Sequence, residues 1–355
     1  MLPVQGIPSF NMMALGMALL HTACTVPGCE LILEMQQKLQ YLKYELNPHR
    51  LEHFPVDWDS LFEGSAPLAV EIGFGNGDFL IAWAQQEPNW NFVGIELSLA
   101  SMEKILKRIY QTRTTNIKPL REDARFAMRE FFADNSVRQV MMNFPDPWPK
   151  ERHKHRRLLN EAFILTLSAV LEENGMYELV TDQEWYARDA FQLFAASPCF
   201  DVQPVETDPQ RAVATKYEQK WREMGRHTYR LTARKIKSST IHRLLEDTAM
   251  PHVFVERELQ EPDIENLVGY QEQQQQQLFV VKEAFRAIEE AKFLLRVIAR
   301  DEDYQQTFWV AVKREPSGRW LVKLDPALQP YRTPAVKMAV WQIGEKLKGT
   351  GKYTR

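Results

Sequence analysis

Cysteine is scarce in these 355 residues. Cys24, Cys29 and Cys199 cannot close a disulfide framework, and the spacing of the first two suits no zinc knuckle, so reduced thiols in a cytoplasmic protein are expected. An excess of charge of one sign is equally lacking. The 44 Lys and Arg stand against 47 Asp and Glu, a formal net charge of -3, which excludes a basic coat protein and makes any nucleic-acid affinity a local matter. With 15 Gly and 20 Pro the chain is no fibre, and 45% hydrophobic with 26% charged content belongs to folded domains and not to disorder. Membrane-length apolar runs are missing too. Met12 to Ala23 is apolar, but it is too short to span a bilayer and no Lys or Arg precedes it as a signal peptide requires; no membrane partner is expected.

Residues 1–34 read as a poorly ordered extension, with Met35 an alternative start before a helical pattern over Gln36–Leu46. From Pro67 onward short apolar runs alternate with amphipathic stretches, the signature of strand, crossover helix and strand around a parallel sheet. Strands are predicted over Leu68–Ile72, Asn91–Ile95, Ile117–Leu120, Arg138–Asn143 and Met176–Val180, closed by Phe200–Val205 and Thr228–Ala233. Helices are predicted over Asp78–Gln86, Ser98–Tyr110, Leu158–Leu171 and Trp185–Ala195, where apolar residues recur at helical spacing. The expected fold is Rossmann-like α/β, a mostly parallel seven-stranded sheet with helices on both faces, spanning residues 35–237.

After Lys237 the pattern changes, and residues 238–355 read as a small α+β accessory domain. Gln273–Gln277 is expected as the solvated start of a helix over Leu278–Ala299. A hairpin follows, with strands Phe308–Lys313 and Trp320–Leu324 joined through Pro316, Ser317 and Gly318. Basic residues outnumber acids from Arg319 to the end, which leans toward RNA contact.

The first strand runs straight into Gly73-Phe74-Gly75-Asn76-Gly77 before a helix starting near Asp78. Such a turn lets backbone approach a ligand and offers it the free N–H groups of a helix N-terminus. Glu96, closing the next strand, lies near the offset at which an acid accepts ribose hydroxyls. NAD and S-adenosylmethionine both fit so far. Glu71, just before the glycines, would repel a pyrophosphate but suits a cationic methionyl group, which favours S-adenosylmethionine. Asp123, after the third strand, is placed to reach an adenine amino group, although the same residue type there also reads as a helix N-cap.

The fourth strand ends in Asn143-Phe144-Pro145-Asp146-Pro147-Trp148-Pro149-Lys150, at the carboxyl edge where parallel sheets bind ligands. Three prolines stiffen this loop. Directly behind come Arg152, His153, Lys154, His155, Arg156 and Arg157, a phosphate-grade cluster whose cations, at a helix start, oppose the helix dipole and so suggest a ligand anion. His153 and His155 have no third partner at a metal-ligand interval, so no metal is expected.

Together these blocks, with Thr181-Asp182-Gln183-Glu184 and Thr215-Lys216-Tyr217-Glu218 before Gly225, resemble the tRNA (guanine-N7-)-methyltransferases of the bacterial single-chain type. The resemblance covers about Leu39 to Lys237, and the Asn143–Arg157 block is its most specific part. It implies an S-adenosylmethionine-dependent enzyme methylating a variable-loop guanosine of tRNA. It implies that Glu71, Gly73, Gly75, Gly77, Glu96, Asp123 and Asp146 hold the cofactor, with Asp146 also catalytic. Lys150, Asp182, Thr215, Lys216, Tyr217 and Glu218 would hold the guanosine, while Arg152, His153, Lys154, Arg156 and Arg157 would contact RNA. Two alternatives remain open: a class I methyltransferase for another substrate, and a non-catalytic RNA-binding relative. Either a monomer or a homodimer is compatible with the sequence.

Overall fold

A computed structural model describes residues 40–213, 218, 224–246 and 249–349, without the side chains of Glu151, Lys154 and His155. The expectations for residues 1–34, for Cys24 and Cys29 and for Thr215, Lys216 and Tyr217 therefore lie outside the described residues. Of the helix expected over 36–46, residues 40–42 are helical and residues 43–44 form a turn.

The first sheet is built from β1 (Leu68–Ile72), β2 (Asn91–Glu96), β3 (Ile117–Arg121), β4 (Val137–Asn143), β5 (Leu171–Thr181), β6 (Phe200–Val202), β7 (Glu206–Thr207) and β8 (Tyr229–Lys235). Its spatial order is β3-β2-β1-β4-β5-β8-β6, with β7 pairing β8. The five strands β1 to β5 run parallel, and β8, β6 and β7 add antiparallel pairs. The seven expected strands are present, joined by the two-residue β7. Every residue of β1 is buried, as expected of a central strand covered on both faces. Alternate residues feed two cores: Val70, Val93, Val140 and Met142 on one face, Ala69, Phe92 and Met141 on the other.

A one-turn helix, α1 (Trp58–Leu61), precedes the sheet. The crossover helices are α2 (Asp78–Gln86), α3 (Leu99–Thr112), α4 (Ala124–Glu130), α5 (Glu161–Val170) and α6 (Glu184–Ala196). Helix α3 shows why its sequence folds this way: Ser98 accepts a hydrogen bond from the Ser101 amide at 3.3 Å as its N-cap, and Met102, Ile105, Leu106 and Ile109 form one buried stripe at helical spacing.

The basic cluster needs a correction. Helix α5 starts at Glu161 behind the cap Asn160, whereas Glu151–Arg156 forms a separate 3-10 turn. The cations thus lie off the helix, and the dipole argument for a ligand anion does not apply to them.

The second sheet is antiparallel, in the order β10-β11-β12-β13-β14-β9. Its strands are β9 (His252–Val255), β10 (Gln271–Gln274), β11 (Gln277–Arg286), β12 (Lys292–Asp301), β13 (Tyr304–Arg314) and β14 (Trp320–Leu324). Two helices accompany it, α7 (Glu261–Glu265) and α8 (Pro334–Lys348). The helix expected over Leu278–Ala299 is instead β11 and β12, and the glutamine run is a hairpin turning at Gln275, whose φ is +52°. Glu, Ala, Lys and Arg between residues 282 and 292 favour helix locally, but Phe293, Leu295, Val297 and Ala299 alternate inward, and burying that face against α8 overrides propensity. The expected hairpin strands are found as β13 and β14. Helix α8 was not anticipated; it buries Ala335, Val336, Ala339, Val340, Ile343 and Leu347. Several tail cations are engaged within this unit: Arg319 lies 4.0 Å from the Phe254 ring centroid, Lys346 lies 4.5 Å from that of Tyr270, and Lys348 pairs with Glu345 at 2.7 Å. Of these, Arg319 is half-buried, whereas Lys346 and Lys348 remain exposed.

Candidate active site

Parallel strands deliver their carboxyl ends to one edge, and here those of β1, β2 and β4 open a cleft of about 340 Å³ lined by Gly73, Glu96, Glu122, Ala124, Asp146 and Arg156, among others. Glu71 stands just behind the lining residues Ile72 and Gly73. It is 1% exposed, and its Oε1 accepts a hydrogen bond from Asn143 Nδ2 at 2.9 Å. Burial raises its pKa to about 7; the Asn143 hydrogen bond and the Arg211 charge hold it down in part, and Glu96 pushes it up.

Two acceptors there, Glu71 Oε2 and Asn143 Oδ1, are buried without a partner among the described residues. Both carry acceptor capacity, directly behind the cleft lining, of the kind an ammonium group would satisfy. Gly73 and Gly75 leave the approach open, since a Cβ on either would meet nothing within 4 Å. Glu96 is already oriented, with Oε1 accepting from the Leu97 and Ser98 amides at 2.8 and 3.0 Å and Oε2 from the Gly75 amide at 3.1 Å. These residues fit S-adenosylmethionine: a carboxylate for its methionyl ammonium, an open backbone cradle, and a second carboxylate on the neighbouring strand.

Gly77 is the left-handed N-cap of α2, and Ile105 fills the space a Cβ there would need. Asp123 caps α4, its Oδ1 accepting from the Arg125 and Phe126 amides at 2.8 and 3.3 Å, so the capping role weighed from the sequence is present in the structure. Asp146 is exposed on the cleft wall in the proline-stiffened loop. That loop is fixed at both ends: Phe144, at φ +48°, donates its amide to Val180 O at 2.7 Å, and Trp148 stands at φ +45°. Asp182 follows β5, the strand beside β4, and Lys150 is exposed just beyond the loop.

Two expected ligand contacts are corrected. Arg157 is 9% exposed: its guanidinium donates to Trp148 O at 3.1 and 3.3 Å, pairs with Asp189 at 3.3 Å and lies 4.9 Å from the Trp185 ring centroid. It pins the loop from inside, with its guanidinium engaged by Trp148, Asp189 and the Trp185 ring. Arg152 and Arg156 are exposed, the latter 4.8 Å from the Trp148 ring centroid, and His153 is half-buried against the same ring. Glu218, expected to hold guanosine, is fully buried and bonded to Arg211 at 2.9 Å, with Glu178 3.3 Å away on the same arginine; neither Glu218 nor Arg211 lines the cleft. Replacing Arg157 with Gln should therefore lower the thermal midpoint by several degrees while leaving the salt dependence of tRNA binding unchanged; Arg152→Gln and Arg156→Gln should each reduce that slope and leave the midpoint in place.

Arg211, Glu178 and Glu122 carry no motif that spacing alone would reveal. Arg211 was the hardest to foresee, because only the folded chain brings it to Glu178, Glu218 and the ring of Phe79. Among the described residues no group of three or more His, Cys, Asp or Glu could hold a metal ion. No described helix is long and apolar enough to cross a membrane.

Residues 65–231 match a family model described as "Putative methyltransferase". The tRNA (guanine-N(7)-)-methyltransferase of Thermotoga maritima is 41% identical over 311 residues, covering 87% of this chain and 98% of the relative. The chain belongs to the tRNA (guanine-N7-)-methyltransferase family. Another family member, from Coprothermobacter proteolyticus, is 32% identical over 85% of this chain and 93% of its own length. Alignments of that span extend beyond residue 237. A shorter member, from Exiguobacterium sibiricum, is 33% identical over 50% of this chain and 84% of its own length. Among solved structures, the antibiotic-resistance methyltransferase Kmr aligns at 17% identity and TM-score 0.39, covering 52% of this chain and 93% of that one.

Proposed function

We propose that this family member transfers a methyl group from S-adenosylmethionine to N7 of a guanosine in tRNA, the variable-loop guanosine by family resemblance, giving 7-methylguanosine. The observation that carries this reading is the convergence at one sheet edge of the unsatisfied Glu71–Asn143 pair, the open Gly73–Gly75 cradle, Glu96 and the exposed Asp146. When bound, S-adenosylmethionine supplies a sulfonium-activated methyl group.

The protein's own residues then have to position and to complement charge. Guanine N7 carries a lone pair and no proton, so no general base is needed at the attacking atom. In this reading Asp146, exposed on the cleft wall, accepts hydrogen bonds from the N–H edge of guanine, which selects the base and stabilises the cationic ring that methylation leaves. Asp182 and Lys150 hold the guanosine as well in this reading, and the exposed Arg152 and Arg156 offer charge to the RNA backbone. Thr215, Lys216 and Tyr217 complete the guanosine contacts in this reading. Cytoplasmic placement accompanies this reading.

Incubating the full chain with unmodified tRNA and radiolabelled cofactor should yield 7-methylguanosine in the nucleoside digest; label in any other nucleoside, or none in RNA, overturns the assignment.

Glu71 gives the cofactor reading a proton signature. With a pKa of about 7, Glu71 is partly protonated in the free protein at neutral pH. A cation docking on it expels that proton, so calorimetry in buffers of different ionisation enthalpy should show proton release near pH 6.5, fading by about pH 9. Glu71→Gln abolishes the release. The sign for stability follows from the same shift: between about 4.5 and 7 the native state keeps a proton that the unfolded chain has lost, so the free protein loses on the order of 3 kcal/mol as pH rises through that window. The Gln variant should lack that part of the slope.

A further inference from the structure

One carboxylate of the cleft wall is held by two phenols from beyond the first sheet. Glu122 follows β3, lines the cleft beside Ala124, and is buried. Its Oε1 accepts from the Asp123 amide at 2.9 Å and from the Tyr304 hydroxyl at 3.3 Å; its Oε2 accepts from the Tyr331 hydroxyl at 2.8 Å. Both phenols come from the chain beyond residue 238, Tyr304 at the start of β13 and Tyr331 in the segment before α8, and both pack into the first sheet's core.

Each phenol is itself held. The Tyr304 ring stacks on Phe126 of α4 at 3.7 Å and 11° between planes, and Glu302, in the turn before it, pairs with Arg129 at 2.6 Å. Tyr331 stacks on His49 at 4.3 Å, packs 4.8 Å from Phe126, and exchanges two hydrogen bonds with the Gln306 side chain, its amide donating at 2.8 Å and its carbonyl accepting at 3.2 Å. A buried carboxylate left without these donors would face an uncompensated burial cost, so the turn that carries it has one favoured position while both phenols are present.

We propose that Tyr304 and Tyr331 are positioning residues for cofactor binding: by fixing Glu122 they set the Glu122–Ala124 turn, and the second sheet thereby completes one wall of the cleft. This rests on the S-adenosylmethionine reading above. It assigns the appended unit a part in the methyltransferase site itself, beyond any RNA contact it makes.

The test uses the full chain and its Tyr331→Phe, Tyr304→Phe and doubly substituted variants, in which the rings and their stacking stay and only hydroxyls go. Calorimetric titration with S-adenosylmethionine should give a Kd raised about 5- to 30-fold for Tyr331→Phe, less for the longer Tyr304 bond, and more for the double variant. Affinity for tRNA should stay within about twofold. Amide hydrogen exchange over residues 122–126 of the ligand-free protein should quicken in the same order. Wild-type cofactor affinity and exchange in the double variant would overturn the proposal, as would a parallel fall in cofactor affinity, tRNA affinity and thermal midpoint, which marks general loosening. A wild-type chain that binds no S-adenosylmethionine would instead overturn the cofactor reading on which it rests.

Discussion

Replacing Asp146 with alanine is expected to lower single-turnover guanosine methylation by about 10²- to 10³-fold, the range found when one preorganised electrostatic partner of a developing charge is removed. The structure makes this carboxylate dependable because its loop is fixed independently of it. Prolines 145, 147 and 149 restrict the backbone, the Phe144 amide is anchored on Val180 O, and Arg157 holds Trp148 O from beneath. Losing the side chain therefore removes charge and hydrogen bonding without releasing the loop, and the thermal midpoint should hold within a degree or two. Asp146→Asn keeps the shape and one acceptor, and should retain more activity than alanine. Rapid-quench assays at saturating tRNA and cofactor read the effect on turnover. An alanine variant within tenfold of wild type would remove Asp146 from the chemistry.

Gly77→Ala is the second large effect, and it falls on stability. At φ +76° an L-residue is strained, and an added Cβ would stand 2.0 Å from Ile105 Cδ1 and 3.0 and 3.1 Å from Cγ1 and Cβ of the same side chain. Ile105 is fully buried in the stripe of α3, so it has nowhere to turn. Left-handed strain of about 1 kcal/mol and overpacking of about 1 to 3 kcal/mol sum to about 2 to 4 kcal/mol. Gly73→Ala is the matched control. It has a similar φ of +72° but open space, so its stability loss should be about 1 kcal/mol and its main defect should be weaker cofactor binding. Urea unfolding of the two variants separates these outcomes; equal midpoints would show that α3 yields at Ile105.

Much of this was legible in the sequence, for identifiable reasons. Strands β1 and β2 are short, almost wholly buried runs, which leaves little else for them to be; β3 and β4 were legible from Ile117 and Leu120 and from Val140, Met141 and Met142 between the helical stretches. The glycine turn, Glu71, Glu96 and Asp146 were legible because strand ends in a parallel sheet fix where ligands sit. Residues whose role depends on a distant partner were not. Arg157 looks like one more surface cation until Asp189 and Trp185 from α6 enclose it, and Glu218 looks available until Arg211 takes its carboxylate. The second sheet was half missed for a related reason: the helix-forming residues between 282 and 292 disguise a strand pair whose stability comes from neighbours on either side and from α8.

The bond between Tyr331 and Glu122 joins residues 209 positions apart. A ribosome completes β8, the last strand of the first sheet at Lys235, roughly a hundred residues before it reaches Tyr331. Throughout that interval the nascent first sheet can pair its strands, yet Tyr331, itself part of the core around Phe126 and Phe131, is still missing, so that core stays open and Glu122 stays hydrated. The emerging polypeptide thus receives its final clasp late in translation, and a product cut short before that tyrosine would fold its α/β half around an unfinished wall.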